Sequence, residues 1–166
     1  MNTAKLRRAL ARIASECSTS VSCINYGGCG VFAALVANKL AERGIEFHIK
    51  VLSVWGVHDL HEVRLEWEVM NTGPMTSVRD WNDCGVSVRH IALHIPRLGE
   101  HVLFDSDGIA QVRDDDPGHI GELSLTELNT IADNPTGWNH CFNRLRIPTL
   151  RRIVDEHLPS LIEQAA

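Results

Sequence analysis

Asn25-Tyr26-Gly27-Gly28-Cys29-Gly30-Val31-Phe32-Ala33-Ala34-Leu35-Val36-Ala37 is the stretch that decides how the rest of the chain is read. It opens rich in glycine and then runs for two helical turns without a polar side chain. Gly27 and Gly28 predict a sharp backbone turn, and Gly30 leaves room beside the sulfur of Cys29. A helix that starts here places Cys29 at its positive end, where a thiolate is favoured over a thiol. Residues 31–37 are apolar nearly all round, so this helix is expected to be buried. It turns polar at Asn38-Lys39 and ends near Arg43, with Gly44 as its C-cap. The competing reading is a small, inert core cysteine. A nucleophile at Cys29 requires the rest of the chain to supply a base and a group that orients the base.

The chain has 166 residues, which fits one α+β domain over 1–166 with a core of its own. A formal net charge of -5 gives no electrostatic reason for a nucleic-acid partner. The seven residues 31–37 are the longest apolar run, too short to span a membrane. Residues of about 3–17 carry Leu6, Leu10 and Ile13 at helical spacing with Lys5, Arg7, Arg8 and Arg12 between them, predicting an amphipathic helix. No apolar segment follows these basic residues as it would in a secretory signal, although a mitochondrial transit peptide shares the basic pattern. The five cysteines, Cys17, Cys23, Cys29, Cys84 and Cys141, are odd in number and have no C-x-x-C spacing. That argues against a disulfide framework and a zinc ribbon, and a reducing cytoplasm is the expected compartment.

Further along, 45–55 reads as a strand with Phe47, Ile49 and Val51 on one face. Residues 63–69 alternate Val63, Leu65, Trp67 and Val69 against Arg64, Glu66 and Glu68, which predicts a half-buried strand. Residues 71–85 lack any period and are expected to form a long loop. Strands are predicted over 86–95 and 100–105, joined by Pro96-Arg97-Leu98-Gly99. Ser124 and Glu127 predict a capping box for a helix over 124–132. A last helix of about 149–163 has Leu150, Ile153, Val154 and Leu158 on one face, until Pro159 kinks or ends it. Helices followed by a run of strands imply an antiparallel sheet.

The base is sought on the 86–105 hairpin. With 96–99 as the turn, His94 faces His101 and His90 faces Asp105, while Ile91, Leu93, Ile95, Val102 and Phe104 share the opposite, core-directed face. Cross-strand neighbours are close enough for an imidazole–carboxylate hydrogen bond. Such a bond fixes the tautomer and leaves the second ring nitrogen for a thiol proton. His90 is therefore the candidate base and Asp105 its orienter, with Asp107 as the alternative orienter. A solvated face that carries the two residues by chance is the competing reading. A metal on the paired histidines is a second competitor. The His94/His101 and His90/Asp105 rows lie roughly 13 Å apart at strand rise, so one ion cannot bridge both, and no metal or cofactor is expected.

Cys29-Gly30 heading an apolar helix, then His90 on an apolar strand, then a glycine turn and a strand ending at Asp105, resembles the papain-like cysteine peptidase superfamily over about residues 25–108. The nearest likeness is to its bacteriocin-processing-peptidase-like and transglutaminase-like branches and to arylamine acetyltransferases, which share the order Cys, His, Asp. The resemblance implies a central helix headed by Cys29 and packed on an antiparallel sheet. It implies Cys29 as nucleophile, His90 as general base and then acid, and Asp105 as orienter. It also implies hydrolysis of a peptide, isopeptide or other amide bond through a thioester, with a peptide or protein as substrate. An acyltransferase or transglutaminase using an amine acceptor, and an inactive papain-like binding or structural module, are the alternatives. Many members have a Gln shortly before the Cys to stabilise the oxyanion. None precedes Cys29, which leaves Asn25 and the backbone around Gly28 for that role.

Other residues carry weaker signals. Cys84-Gly85 repeats the Cys-Gly pair but precedes a strand rather than a helix. His58 and His61 are alternative bases beside a polar loop, and His140-Cys141 are neighbours only in sequence. Trp81, in the long loop, is a candidate wall of a substrate groove. Asp105-Ser106-Asp107-Gly108 has the look of a calcium loop, but Ala110 and Asp116 stand where an EF-hand needs Gly and Glu.

Overall fold

Two helices lead the chain, α1 (Thr3–Ser20) and α2 (Cys29–Glu42). The computed structural model describes residues 1–22, 24, 28–53, 60–70, 88–111, 119–133 and 142–159. After α2 come β1 (His48–Ser53), α3 (Leu60–Met70), β2 (Val88–His94), β3 (Val102–Asp105), β4 (Gly108–Gln111), β5 (His119–Leu123), α4 (Leu125–Asp133) and α5 (Ile147–His157). The strands form one five-stranded sheet in the order β4-β3-β2-β1-β5, with every neighbouring pair antiparallel. The protein is thus α+β with an antiparallel sheet.

The apolar run after Cys29 dictates where α2 lies. Cys29, Gly30, Val31, Phe32, Ala33, Ala34, Val36, Ala37 and Leu40 are all buried. A helix apolar on most of its circumference needs partners on several sides, and α2 touches β2 and β3 on one side and α4 and α5 on others. Phe32 meets Phe104 of β3 with ring centroids 5.6 Å apart. Where α2 turns polar, Asn38 and Asn129 of α4 exchange amide hydrogen bonds of 2.8 and 3.3 Å, and Lys39 reaches Asp155 of α5 at 2.9 Å. Gly44, with φ +60, closes α2. Its N–H donates to Ala41 O, and the N–H of Ile45 donates to Leu40 O. This is the αL termination that glycine makes possible.

The outer helices follow their apolar stripes. Helix α1 buries Leu6, Leu10, Ile13, Ala14 and Cys17, and Asn2 caps it by accepting from Lys5 N at 2.8 Å. Helix α5 buries Leu150, Ile153 and Val154 and packs on α1 and α2, starting at Ile147 with Pro148 in its first turn. Ser124 and Glu127 form the reciprocal cap of α4. Glu127 Oε2 accepts from Ser124 N at 2.7 Å, and Ser124 Oγ accepts from Glu127 N at 3.2 Å.

Three expectations need correction. Residues 63–69 form helix α3, not a strand. Leu, Glu and Arg favour helix; Val63 is buried and Trp67, at i,i+4 spacing, half-buried, while Leu65 stands half exposed and Val69 is 88% exposed. The period-2 pattern was therefore not a burial pattern. Strands β4 and β5 are absent from the sequence reading; β4 is only four residues long, and β5 carries Gly121, with φ +151, at its centre.

The third correction concerns the hairpin register. Leu93 pairs with Phe104 and His94 with Leu103, so the strands are offset by two residues from the expected register. The turn is longer than 96–99: Pro96–Leu98 form a 3-10 turn, and Gly99 with φ +140 leads out of it. A shift of two keeps every side chain on its expected face, whereas a shift of one would reverse them all. Ile91, Leu93, Ile95, Val102 and Phe104 are accordingly all buried. His94 does not face His101. It faces Leu103 and stacks on His48 of β1, with ring centroids 5.5 Å apart.

Candidate active site

His90 and Asp105 are diagonal rather than direct cross-strand neighbours, because Asp105 sits level with Ala92 in the observed register. Diagonal neighbours are still within reach of a ring and a carboxylate. The His90 Nε2–H donates to Asp105 Oδ2 at 3.0 Å. The other carboxylate oxygen, Oδ1, accepts the backbone N–H of Asp107 at 2.8 Å and that of Gly108 at 3.2 Å. The Asp105-Ser106-Asp107-Gly108 segment is therefore the tight turn between β3 and β4, built around the Asp105 side chain. Gly108 takes φ +120, which only glycine adopts without strain. Asp105 holds His90, and the backbone N–H of Asp107 donates to that carboxylate.

His90 also lies near the head of α2, close enough for the Cys29 side chain to act on its ring and raise its pKa. With Nε2 on Asp105, Nδ1 is the nitrogen left for the thiol. The ladder is irregular at this point. Leu52 of β1 pairs with His90 and Ser53 with Val88, so Arg89 has no partner in β1. The β1–β5 ladder breaks at the same level, between Val51 and Leu52. Bulges increase local twist and re-aim the side chains beside them, which accounts for His90 reaching the helix head from the row that also holds Ala92 and His94.

Burial and charge set the state of the ring. The His90 side chain is 14% exposed and that of Asp105 22%. Burial, the largest single influence on His90, disfavours its charged form. The hydrogen-bonded Asp105 carboxylate and the neighbouring Cys29 side chain outweigh it, and the His90 pKa is held up at about 10. An imidazolium here persists through neutral pH. Cys29 itself is 3% exposed, so burial does not distinguish it from an inert core cysteine. Its neighbour does. The other free thiol among the described residues, Cys17, is buried without such a partner; burial, aided by the charge of Glu16, pushes it up to about 12.

Gly28, directly before Cys29, has φ -94 and ψ -11, an ordinary right-handed helical conformation. The sharp glycine turn expected there is thus not found at Gly28. Its need for glycine is spatial. A Cβ on Gly28 would lie 2.7 Å from Phe142 Cδ2, closer than real Cβ atoms come to any neighbour. Phe142, buried at the approach to α5, is the site residue that sequence reasoning missed. A lone aromatic in a Pro/Gly/Asn-rich segment gave no signal.

Asn25, His58, Trp81, Cys84, His140 and Cys141 lie outside the described residues. His61 is exposed on the first turn of α3. Among the described residues one group has metal-ligand spacing, Glu16, Glu156 and His157. Arg152 pairs with both of its carboxylates, at 3.1 and 2.9 Å, and His157 Nε2 meets Glu16 at 3.1 Å, so the group is an ion-pair network joining α1 to α5.

No protein-family model, curated protein or solved structure matches this chain. A sulfur, an imidazole and a carboxylate lie in series, with the carboxylate anchored by two backbone amides. Such a series has the parts with which a thiol can be deprotonated while the ring keeps its orientation. No helix among the described residues is long and apolar enough to cross a membrane.

Proposed function

We propose that the protein is a cysteine-dependent hydrolase of the papain-like kind, acting on a peptide, isopeptide or other amide bond. The observation that carries this reading is the series Cys29–His90–Asp105, in which one imidazole is hydrogen-bonded to a fixed carboxylate and lies near enough to the Cys29 side chain to be acted on by it. In the first half-reaction Cys29 Sγ attacks the carbonyl carbon. His90 delivers its proton to the leaving amine, the C–N bond breaks and a thioester remains on Cys29. In the second, His90, now neutral, takes a proton from water as the water attacks the thioester. The acid leaves and the thiolate–imidazolium pair is restored. Asp105 keeps the ring oriented and stabilises its charge throughout, the role a carboxylate has in other triads.

The test is a set of peptide and amide substrates turned over by the full chain, with acid-quenched samples read by intact-mass spectrometry. A thioester adduct mapped to Cys29, absent in Cys29→Ala and His90→Ala, supports the reading. The double variant should lose little more activity than either single one, since the pair acts as a unit. Turnover that survives Cys29→Ala, or adducts on another cysteine, overturns it.

A further inference from the structure

We propose that Phe142 is a positioning residue for Cys29, holding the head of α2 as Asp105 holds His90. This rests on the thiol-hydrolase reading of the site and adds to it the part that sets the direction of the sulfur. The backbone of Gly28 is helical, so any residue could adopt its dihedrals. Glycine is required there because the Phe142 ring lies on its Cα. The position of a Cβ is 2.7, 3.0 and 3.1 Å from Cδ2, Cε2 and Cγ of that ring. The ring thus bears on the residue whose peptide bond leads into Cys29. Any movement of that peptide turns the Cα–Cβ bond of the nucleophile.

The ring is not free to yield. Phe142 is buried, and the residues after it are tied down in sequence. Asn143 Oδ1 accepts from Leu145 N at 2.9 Å, Arg146 N donates to Asn143 O at 2.8 Å, and Arg144 Nη2 donates to Asp133 O at 3.3 Å. Helix α5 then begins at Ile147 and packs on both α1 and α2. The two halves of the site are therefore fixed from different sides. The β3–β4 turn fixes His90 through Asp105, and the approach to α5 fixes Cys29 through Gly28. A misplacement of about 1 Å between reacting groups can cost on the order of 10²-fold in rate, which makes such bracing consequential.

The experiment compares wild type, Phe142→Leu, Gly28→Ala and the double variant Gly28→Ala/Phe142→Leu as full chains. The readouts are the rate of iodoacetamide labelling of Cys29 from pH 5 to 9, resolved by peptide mass spectrometry, and the melting temperature. Phe142→Leu and Gly28→Ala are each expected to slow labelling at pH 6 about tenfold and to move the profile towards that of an ordinary thiol near pH 8.5. The double variant should recover part of the loss, because leucine can turn its branch away from the new methyl group. If Gly28→Ala does not fold, Phe142→Leu alone decides. A Phe142→Leu protein that melts earlier but keeps the wild-type Cys29 profile shows a merely structural ring and overturns the proposal. So do losses that simply multiply in the double variant. Failure of the hydrolase reading looks different, because Cys29 would then label as an ordinary thiol in wild type already.

Discussion

Replacing Asp105 by asparagine removes a charge from the far side of His90 while keeping the side chain's volume. It also keeps an oxygen able to accept from Asp107 N and Gly108 N, the two amides that Oδ1 serves. What is lost is the carboxylate oxygen 3.0 Å from His90 Nε2. His90 holds its proton up to about 10 in the folded protein, against 6.5 for the ordinary ring. A group with a raised folded-state pKa contributes stability that is fully present below 6.5 and is lost as pH rises through 10. At about 1.4 kcal/mol per pH unit this interval sets an upper limit of about 5 kcal/mol, shared between Asp105 and Cys29. A charge-assisted hydrogen bond alone is worth about 2 kcal/mol. Urea denaturation of wild type and Asp105→Asn at pH 6, 8 and 10 measures the share of Asp105. The expected gap is about 2–3 kcal/mol at pH 6, narrowing steadily and nearly closed at pH 10. A gap that is constant with pH, or that widens towards pH 10, would show that the carboxylate does not hold a proton on His90.

Three further changes test the frame that carries the site. Gly44→Ala puts a Cβ on a residue with φ +60 and nothing within 4 Å, so its cost is purely conformational, about 1 kcal/mol by thermal or urea unfolding, with Cys29 labelling unchanged. Ser124→Ala removes one half of the α4 cap and should lower stability by about 1 kcal/mol in the same assay. Val69→Glu, on the exposed flank of α3, should change stability by less than about 0.5 kcal/mol, whereas the same residue in a half-buried strand would be costly.

What the sequence disclosed, and what it hid, depends on how local the physics is. The burial of α2 was legible because residues 31–37 are apolar on every side, and its end was legible because Gly44 stands where an αL residue must. The α4 cap was legible from Ser124 and Glu127 alone. The pairing of His90 with Asp105 was also legible, though its exact register was not. Face alternation survives a shift of two residues, while turn length is set by the 3-10 turn at Pro96–Leu98, which four residues of sequence do not declare. Residues 63–69 misled because alternation and helical spacing overlap in short segments, and only packing against β5 and α4 decides between them. Arg64 Nη2 reaches Glu122 O at 3.0 Å and Glu127 Oε1 at 2.8 Å, contacts between residues far apart in the chain. The Arg89 bulge and the seat of Phe142 on Gly28 are likewise tertiary facts, with no pattern in the sequence to announce them.

The central claim is that Cys29 and His90 act as one proton-sharing pair, and the pH dependence of Cys29 alkylation tests it most directly. Limiting iodoacetamide is applied to the intact chain between pH 5 and 9, and labelling is resolved at Cys17, Cys23, Cys29, Cys84 and Cys141. The account predicts that Cys29 labels first and already at pH 6, that Cys17 stays unlabelled, and that His90→Ala abolishes the lead of Cys29. Labelling of Cys29 that rises only above pH 8 and is the same in His90→Ala would contradict it.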